Sequence, residues 1–254
     1  MKKIVLAYSG GLDTTFCALH LSRDLGYEVH AVIVNTGGFS REELKAIEIR
    51  AKNLGVTSFH ILDVVETYYE EVLKYLVFGN VLKNQTYPLS VSAERILQAK
   101  SLAEYAKSIG AKAVAHGSTG AGNDQVRFDM IFQTIVPDIE IITPIRDLKL
   151  SRQEEIEYLK KHGVEMNFEK AAYSINKGIW GTSVGGKETL TSSDYIPEEA
   201  WPTQVTAHEP KELTLTFLQG QLKGVNGKNY ETAVAAIQEV QAIAGPYGIG
   251  RDIH

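Results

Sequence analysis

Cysteine is almost missing from this sequence: Cys17 is the only one in 254 residues. A disulfide within the chain and a cysteine-built zinc site are therefore both excluded. Cys17 stands in an apolar helical stretch and reads as a small core residue. A basic excess is missing too. Against 31 acidic residues there are 26 basic ones, a formal net charge of −5, which argues against a nucleic-acid partner. Long apolar runs are also lacking. Ile4 to Tyr8, following Met1-Lys2-Lys3, is too short for a signal-peptide core, and nothing approaches a membrane span. The expectation is a soluble, cytoplasmic protein without a membrane partner. With 44% hydrophobic residues, the chain can bury one large core or two smaller ones.

Short apolar runs alternate with helical patterns through the first two thirds. Strands are predicted at Ile4–Tyr8, His30–Val34, Ser58–Leu62, Ala111–His116 and Glu140–Thr143. Helices are predicted over Thr14–Leu25, Ser40–Leu54, Val64–Phe78, Ala93–Ile109, Gln125–Ile135 and Ser151–Lys161. Two of them open with capping boxes, Ser40 with Glu43 and Ser151 with Glu154. Residues 79–92 read as a polar loop. This alternation predicts an α/β fold, a parallel sheet with helices on both faces. The pattern fades after residue 165. Asn167–Pro210 is rich in Gly, Ser, Thr and Pro and reads as irregular. A half-buried strand at Leu213–Leu218, a partner at Gln221–Val225 and a helix over Tyr230–Ala244 follow. The division expected is 1–165 and 166–254, the second part an incomplete α+β domain.

The densest chemistry follows the first strand: Ala7, Tyr8, Ser9, Gly10, Gly11, Leu12, Asp13, Thr14 and Thr15. Glycines let a backbone approach a phosphate. Amides of Gly10 to Asp13, at the positive end of a helix dipole, suit an anion, and the hydroxyls of Ser9, Thr14 and Thr15 add donors. It is not a kinase-type P-loop, which needs Gly-Lys-Ser/Thr, nor a dinucleotide fingerprint, since the third glycine is missing. The plainer alternative is a tight glycine turn between strand and helix.

A second loop runs from His116 through Gly117, Ser118, Thr119, Gly120, Ala121 and Gly122 to Asn123-Asp124-Gln125-Val126-Arg127-Phe128. A carboxamide, a carboxylate and a guanidinium together suit a zwitterionic amino acid. Asp124 can take an ammonium group, Arg127 can fork onto a carboxylate, and Asn123 can do either. The alternative is that Asn123 and Asp124 cap the next helix beside a surface arginine.

Ser-Gly-Gly-x-Asp-Thr resembles the pyrophosphate loop of the N-type ATP pyrophosphatases, the PP-loop or adenine nucleotide alpha hydrolase-like proteins. Gly-x-Thr-Gly-x-Gly-Asn-Asp-Gln-Val-Arg-Phe, with Ala-Tyr-Ser-Gly-Gly-Leu-Asp-Thr, resembles the signature of one of its families, argininosuccinate synthase. The likeness covers the chain and is strongest up to about Pro144. It implies a ligase of arginine biosynthesis and the urea cycle, with ATP and Mg2+, that joins citrulline to aspartate through a citrullyl-adenylate. It implies that Ala7 to Thr15, Val34 and Gly117 line the ATP site. Thr119, Asn123 and Asp124 would hold aspartate. Tyr87, Ser92, Asn123 and Arg127 would hold citrulline, with Ser174 and Ser183 as two further hydroxyl contacts. Asp13, Asp124 and Arg127 would be the catalytic side chains.

Other roles stay open from sequence. Asp13 could meet Mg2+ through water or cap its own loop, and no residue is assigned as a direct metal ligand. Tyr87, before Pro88, could pack a loop, and Arg95 could be a solvated charge. Family members are longer, with more citrulline contacts and a C-terminal helix used in a homotetramer. The chain, stopping at His254, is thus expected to be a shortened form with weakened assembly and little turnover. The rivals are a tRNA-thiolating relative, which would need reactive cysteines and a basic surface, and a nucleotide-binding module without catalysis.

Overall fold

The structure, a computed structural model, describes residues 2–166, 168, 173–191 and 193–251. The chain divides into two compact units, one of Met1–Asp63 and Ser92–Ala172, the other of Val64–Val91 and Tyr173–His254.

The first unit is built on five parallel strands: β1 (Lys3–Ala7), β2 (Glu28–Asn35), β3 (Ser58–Asp63), β4 (Ala113–Ala115) and β5 (Glu140–Ile142). Their order is β3-β2-β1-β4-β5. Central β1 pairs on both sides, Leu6 lying opposite Ala31 and Ala115. Ile4, Val5 and Leu6 are almost fully buried, as a strand covered on both faces demands. Burying each such side chain is worth about 1.5–3 kcal/mol. Edge strand β3 is more open throughout and leaves Ile61 exposed. With right-handed crossovers, connections running β1 to β3 and those running β4 to β5 cover opposite faces.

Helix α1 (Leu12–Leu19) starts directly after the glycines, two residues earlier than expected. It continues as a π-helical turn, His20–Asp24, rather than as regular helix to Leu25. His20 Nδ1 and Asp24 Oδ2 are 2.7 Å apart, and Tyr158 donates its hydroxyl to the same oxygen at 2.7 Å, which holds the wider turn. Phe16 packs on Tyr158, so α1 and α8 (Arg152–Lys161) share the core with Leu19 and Leu159. Both expected capping boxes form, at the start of α2 (Arg41–Asn53) and of α8. Cys17 is fully buried, and burial pushes its thiol well above the ordinary range.

In the second unit the expected helix over 64–78 is α3 (Val65–Tyr68), a π-helical turn Tyr69–Leu73 and α4 (Lys74–Phe78). The stretch read as irregular contains a hairpin, β6 (Tyr173–Gly178) with β7 (Gly181–Gly186). Its glycine and serine content masks the period-two pattern that would have disclosed it. Asn167 and residues 169–172, within that stretch, lie outside the described residues. Strands β8 (Leu215–Leu218), β9 (Gln221–Val225) and β10 (Lys228–Asn229) form an antiparallel sheet, followed by α9 (Ala233–Ala244) capped by Thr232. β8 is an edge strand and all four residues are exposed, where a half-buried strand was expected.

Residues 64–91 were expected with the first domain. They pack instead with the C-terminal part: Trp180 donates Nε1 to the Pro88 carbonyl and Thr232 Oγ1 donates to Glu66. Among the described residues no helix is long and apolar enough to cross a membrane.

Candidate functional site

An open parallel sheet binds ligands beyond the carboxyl ends of its strands, where the strand order reverses. Here the reversal falls at β1, between β2 and β4, and the two glycine loops leave from β1 and β4. They touch. A Cβ placed on Gly117 would stand 3.2 Å from Asp13 Cβ, 3.3 Å from the Asp13 carbonyl carbon and 3.3 Å from Thr14 Cγ2. Gly117 is therefore a close-approach glycine, and the loop after β4 rests on the first turn of α1.

The loop after β1 is tied by its own hydroxyls. Thr14 Oγ1 accepts from the Ser9 amide at 3.3 Å and lies 3.2 Å from Ser9 Oγ. Gly10 adopts a left-handed φ of 74° with Ile47 beneath it, so only glycine fits. Gly11 precedes α1 in extended backbone, and no side chain caps the helix. The first-turn amides and the positive dipole end are thus left for a ligand. Ser9 and Gly11 are exposed, Asp13 and Thr14 half-buried, while Tyr8, Leu12 and Thr15 form the buried floor. Arg50, from α2, donates Nη1 to the Gly10 carbonyl at 2.6 Å. Sequence reasoning missed it; only the fold brings residue 50 to residue 10. Ala7 ends β1, and Val34 lies buried near the end of neighbouring β2.

The loop after β4 hangs on a chain of charges. Fully buried His116 accepts from the Ser118 amide on Nδ1 at 3.2 Å, so Nε2 carries the proton towards Asp129 Oδ1 at 2.9 Å. Arg146, on the short helix α7 (Pro144–Leu148), donates Nη1 to Asp129 Oδ2 at 2.7 Å and to Gln125 Oε1 at 3.0 Å. Gln125 in turn donates Nε2 to the Gly120 carbonyl at 2.7 Å. The hydrogen bond from His116 and those from Arg146 hold the Asp129 carboxyl below its usual range. This network clamps the glycines from behind, and Thr119 is left exposed on their outer side.

At the start of α6 (Asp124–Ile135), Asn123 is exposed and makes no capping bond through its side chain, which removes the capping alternative for that residue. Asp124 carries two arginines: Arg127 Nη1 on Oδ1 at 2.6 Å and Arg95 Nε on Oδ2 at 3.0 Å. Arg95 is therefore no solvated charge. It lies on α5 (Ser90–Ser108) with its side chain only 13% exposed. Neighbouring Glu94, 3% exposed, has its carboxyl raised to about 7; burial drives the shift, and Arg95 and hydrogen bonds from Thr36 and Gln98 offset part of it. The readable signal was a glutamate at 94 on the face that also buries Val91 and Leu97. A second buried acid, Glu155 of α8, is raised by burial and by its contact with the Asp13 carboxylate.

Ser92 falls inside the first turn of α5, half-buried, not in the loop expected to reach residue 92. Tyr87, Ser174 and Ser183 belong to the second unit. Tyr87 Oη accepts from the Val91 amide at 3.1 Å, at the beginning of α5. Ser174 pairs with Gly185 and Ser183 with Asn176, which puts both serines on one face of the β6–β7 hairpin.

Sheet order, the uncapped glycine turn at its reversal and the second loop seated on it define a doubly wound α/β domain of the HUP class. Residues 3–165 match the family model described as the arginosuccinate synthase N-terminal HUP domain. Argininosuccinate synthase of Methanocaldococcus jannaschii is 40% identical over 251 residues, covering 97% of this chain and 62% of that protein. The same enzyme of Pyrobaculum aerophilum is 38% identical, over 99% of this chain and 64% of its own length, and that of Dictyoglomus thermophilum 38%, over 100% and 64%. The chain belongs to the argininosuccinate synthase family. It spans a little under two thirds of the length of these relatives.

Proposed function

We propose that this chain binds ATP at the carboxyl edge of its parallel sheet and activates citrulline for attack by aspartate. The reading rests chiefly on the contact between Gly117 and the Asp13–Thr14 turn, which makes one continuous floor of two loops suited to different ligands. The loop after β1 would hold the phosphates through the first-turn amides of α1 and the hydroxyls of Ser9 and Thr14. Arg50, bonded to the Gly10 carbonyl, would fix the loop and add positive charge. Asn123, Asp124 and Thr119 would receive aspartate, and Arg127, with Asn123, the carboxylate of citrulline.

In this mechanism the ureido oxygen of citrulline attacks the α-phosphorus, releasing pyrophosphate and forming citrullyl-adenylate. The aspartate amine then attacks the activated carbon and AMP leaves. The side chains position and stabilise charge; they form no covalent intermediate. Mg2+ fits as an ion carried on the ATP phosphates. The loop offers one carboxylate, Asp13, and among the described residues no three His, Cys, Asp or Glu groups cluster to hold a metal. Its contribution when bound would be to neutralise phosphate charge.

The reading fits poorly with thiol-transfer chemistry, because Cys17 is buried with a raised pKa and a thiolate is the reactive form. The test is exchange of labelled pyrophosphate into ATP. Exchange that requires citrulline is expected. Exchange absent with citrulline, or equal without it, would remove the adenylation step from this chain.

A further inference from the structure

Asp124 is already paired. Each carboxylate oxygen accepts from one arginine, so an ammonium group arriving there meets a charge that is already matched, and it is fully paired only when one arginine withdraws. The two arginines are held differently. Arg127 lies one turn further along the same helix, with a 27% exposed side chain. Arg95 comes from α5, is more buried, and is gripped from behind. Its Nη1 donates to Gln98 Oε1 at 2.6 Å and more weakly to Glu94 Oε1 at 3.4 Å. Gln98 Nε2 then donates to that same Glu94 oxygen at 2.8 Å, closing a ring of three α5 side chains. The planar guanidinium is braced by this ring, so Nε points at Asp124 with little freedom.

Moving Arg127 from Asp124 to a substrate carboxylate, while a substrate ammonium replaces it on Asp124, turns one ion pair into two. Moving Arg95 would break two further hydrogen bonds, those to Gln98 and Glu94, and leave the buried Glu94 carboxyl held by Gln98 without the guanidinium beside it. We propose that Arg95, braced by Glu94 and Gln98, is a positioning residue that keeps Asp124 oriented through Oδ2 while Oδ1 is handed from Arg127 to the amine of the bound amino acid. The inference rests on the amino-acid site proposed above. It adds a role for three α5 residues outside the loops that would touch substrate.

The geometry sets the ligand class. Aspartate brings the ammonium that replaces Arg127 on Asp124, and the released Arg127 takes a carboxylate, that of aspartate when it binds alone and that of citrulline when both substrates are present; a ligand without an ammonium leaves Asp124 no replacement for Arg127. It also sets the graded effect of substitutions. Lysine at 95 can reach Asp124 but cannot hold the ring as a fork does, and Gln98→Leu removes the brace while leaving Arg95 its carboxylate.

The test is calorimetric titration of aspartate, and of succinate as the control that lacks the amine, into the ATP-loaded protein without citrulline, so that no turnover occurs. Arg95→Met is expected to weaken aspartate about tenfold or more while ATP affinity stays within about twofold. Arg95→Lys should recover part of the loss and Gln98→Leu should show a smaller one, with succinate binding poorly throughout. Aspartate bound equally by wild type and Arg95→Met would overturn the positioning role alone. No aspartate binding by the wild type would overturn the amino-acid site itself. Parallel loss of ATP and aspartate in all three variants would make Arg95 a folding residue and likewise end the proposal.

Discussion

The loop after β1 and the loop after β4 lie side by side at one sheet edge, yet they are held in opposite ways. The first is closed by hydroxyls within residues 9–14 and by one guanidinium on a backbone carbonyl. It leaves uncapped amides facing outward and needs little rearrangement to receive an anion. The second hangs on charged side chains from α5, α6 and the turn at Arg146, and its charges are already paired with one another. A ligand there competes with partners already in place instead of filling a vacancy. A backbone-built site binds through fixed dipoles; a charge-built site binds through competition, and its affinity depends on residues well behind it.

The largest effect is expected where the two meet. Gly117→Val places methyl groups against Asp13 and Thr14, into a gap that barely admits a Cβ. Separating the loops by a fraction of an ångström should lower citrulline-dependent pyrophosphate exchange about a hundredfold. Gly122→Ala, with open space around its Cβ, should cost far less. Equal activities in the two variants would mean that the seating of one loop on the other is incidental.

A smaller effect separates the loops. Arg50→Met removes a charge-assisted bond to Gly10 and should weaken ATP by roughly tenfold, about 1.4 kcal/mol, with aspartate affinity little changed. Isothermal titration of each ligand reads this directly. If aspartate weakens as much as ATP, the loops act as one unit and the contrast between them fails.

What could be read in the sequence divides along the same line. The first loop is local: Ser9, Gly10, Gly11 and Thr14 are neighbours, and the backbone geometry they impose follows from residue type. The α/β pattern and the two capping boxes are local as well. The bracing of the second loop is not. Arg95 on α5 and Arg146 beyond β5 reach Asp124, Asp129 and Gln125 only after the sheet orders its strands, and no spacing rule joins residues 17 to 29 apart. The β6–β7 hairpin was hidden for another reason, since glycines, Ser174 and Ser183 dilute the short apolar face of Tyr173, Ile175 and Val184. The π-helical turn at His20–Asp24 likewise has a tertiary partner, Tyr158, far away in the sequence.

The smallest effect probes the buried acid behind the second loop. Glu94 has its folded-state carboxyl raised from 4.5 to about 7, mainly by burial. The folded chain therefore holds this proton more tightly than the unfolded chain does. The stability so gained is complete below about pH 4.5 and is lost as the pH rises through about 7. Between about pH 6 and about pH 8 the loss should be on the order of 1 kcal/mol, a shift of a few degrees in melting temperature. Glu94→Gln replaces a neutral acid by a neutral amide that can still accept from Gln98 and Arg95, so it should flatten that part of the profile. Melting curves of the two proteins across this range make the comparison. A wild-type profile already flat there would mean that Glu94 stays ionised, its charge matched by Arg95. The Arg95 guanidinium would then be shared between two carboxylates instead of being committed to Asp124, and the second loop would be more loosely charged than its geometry implies.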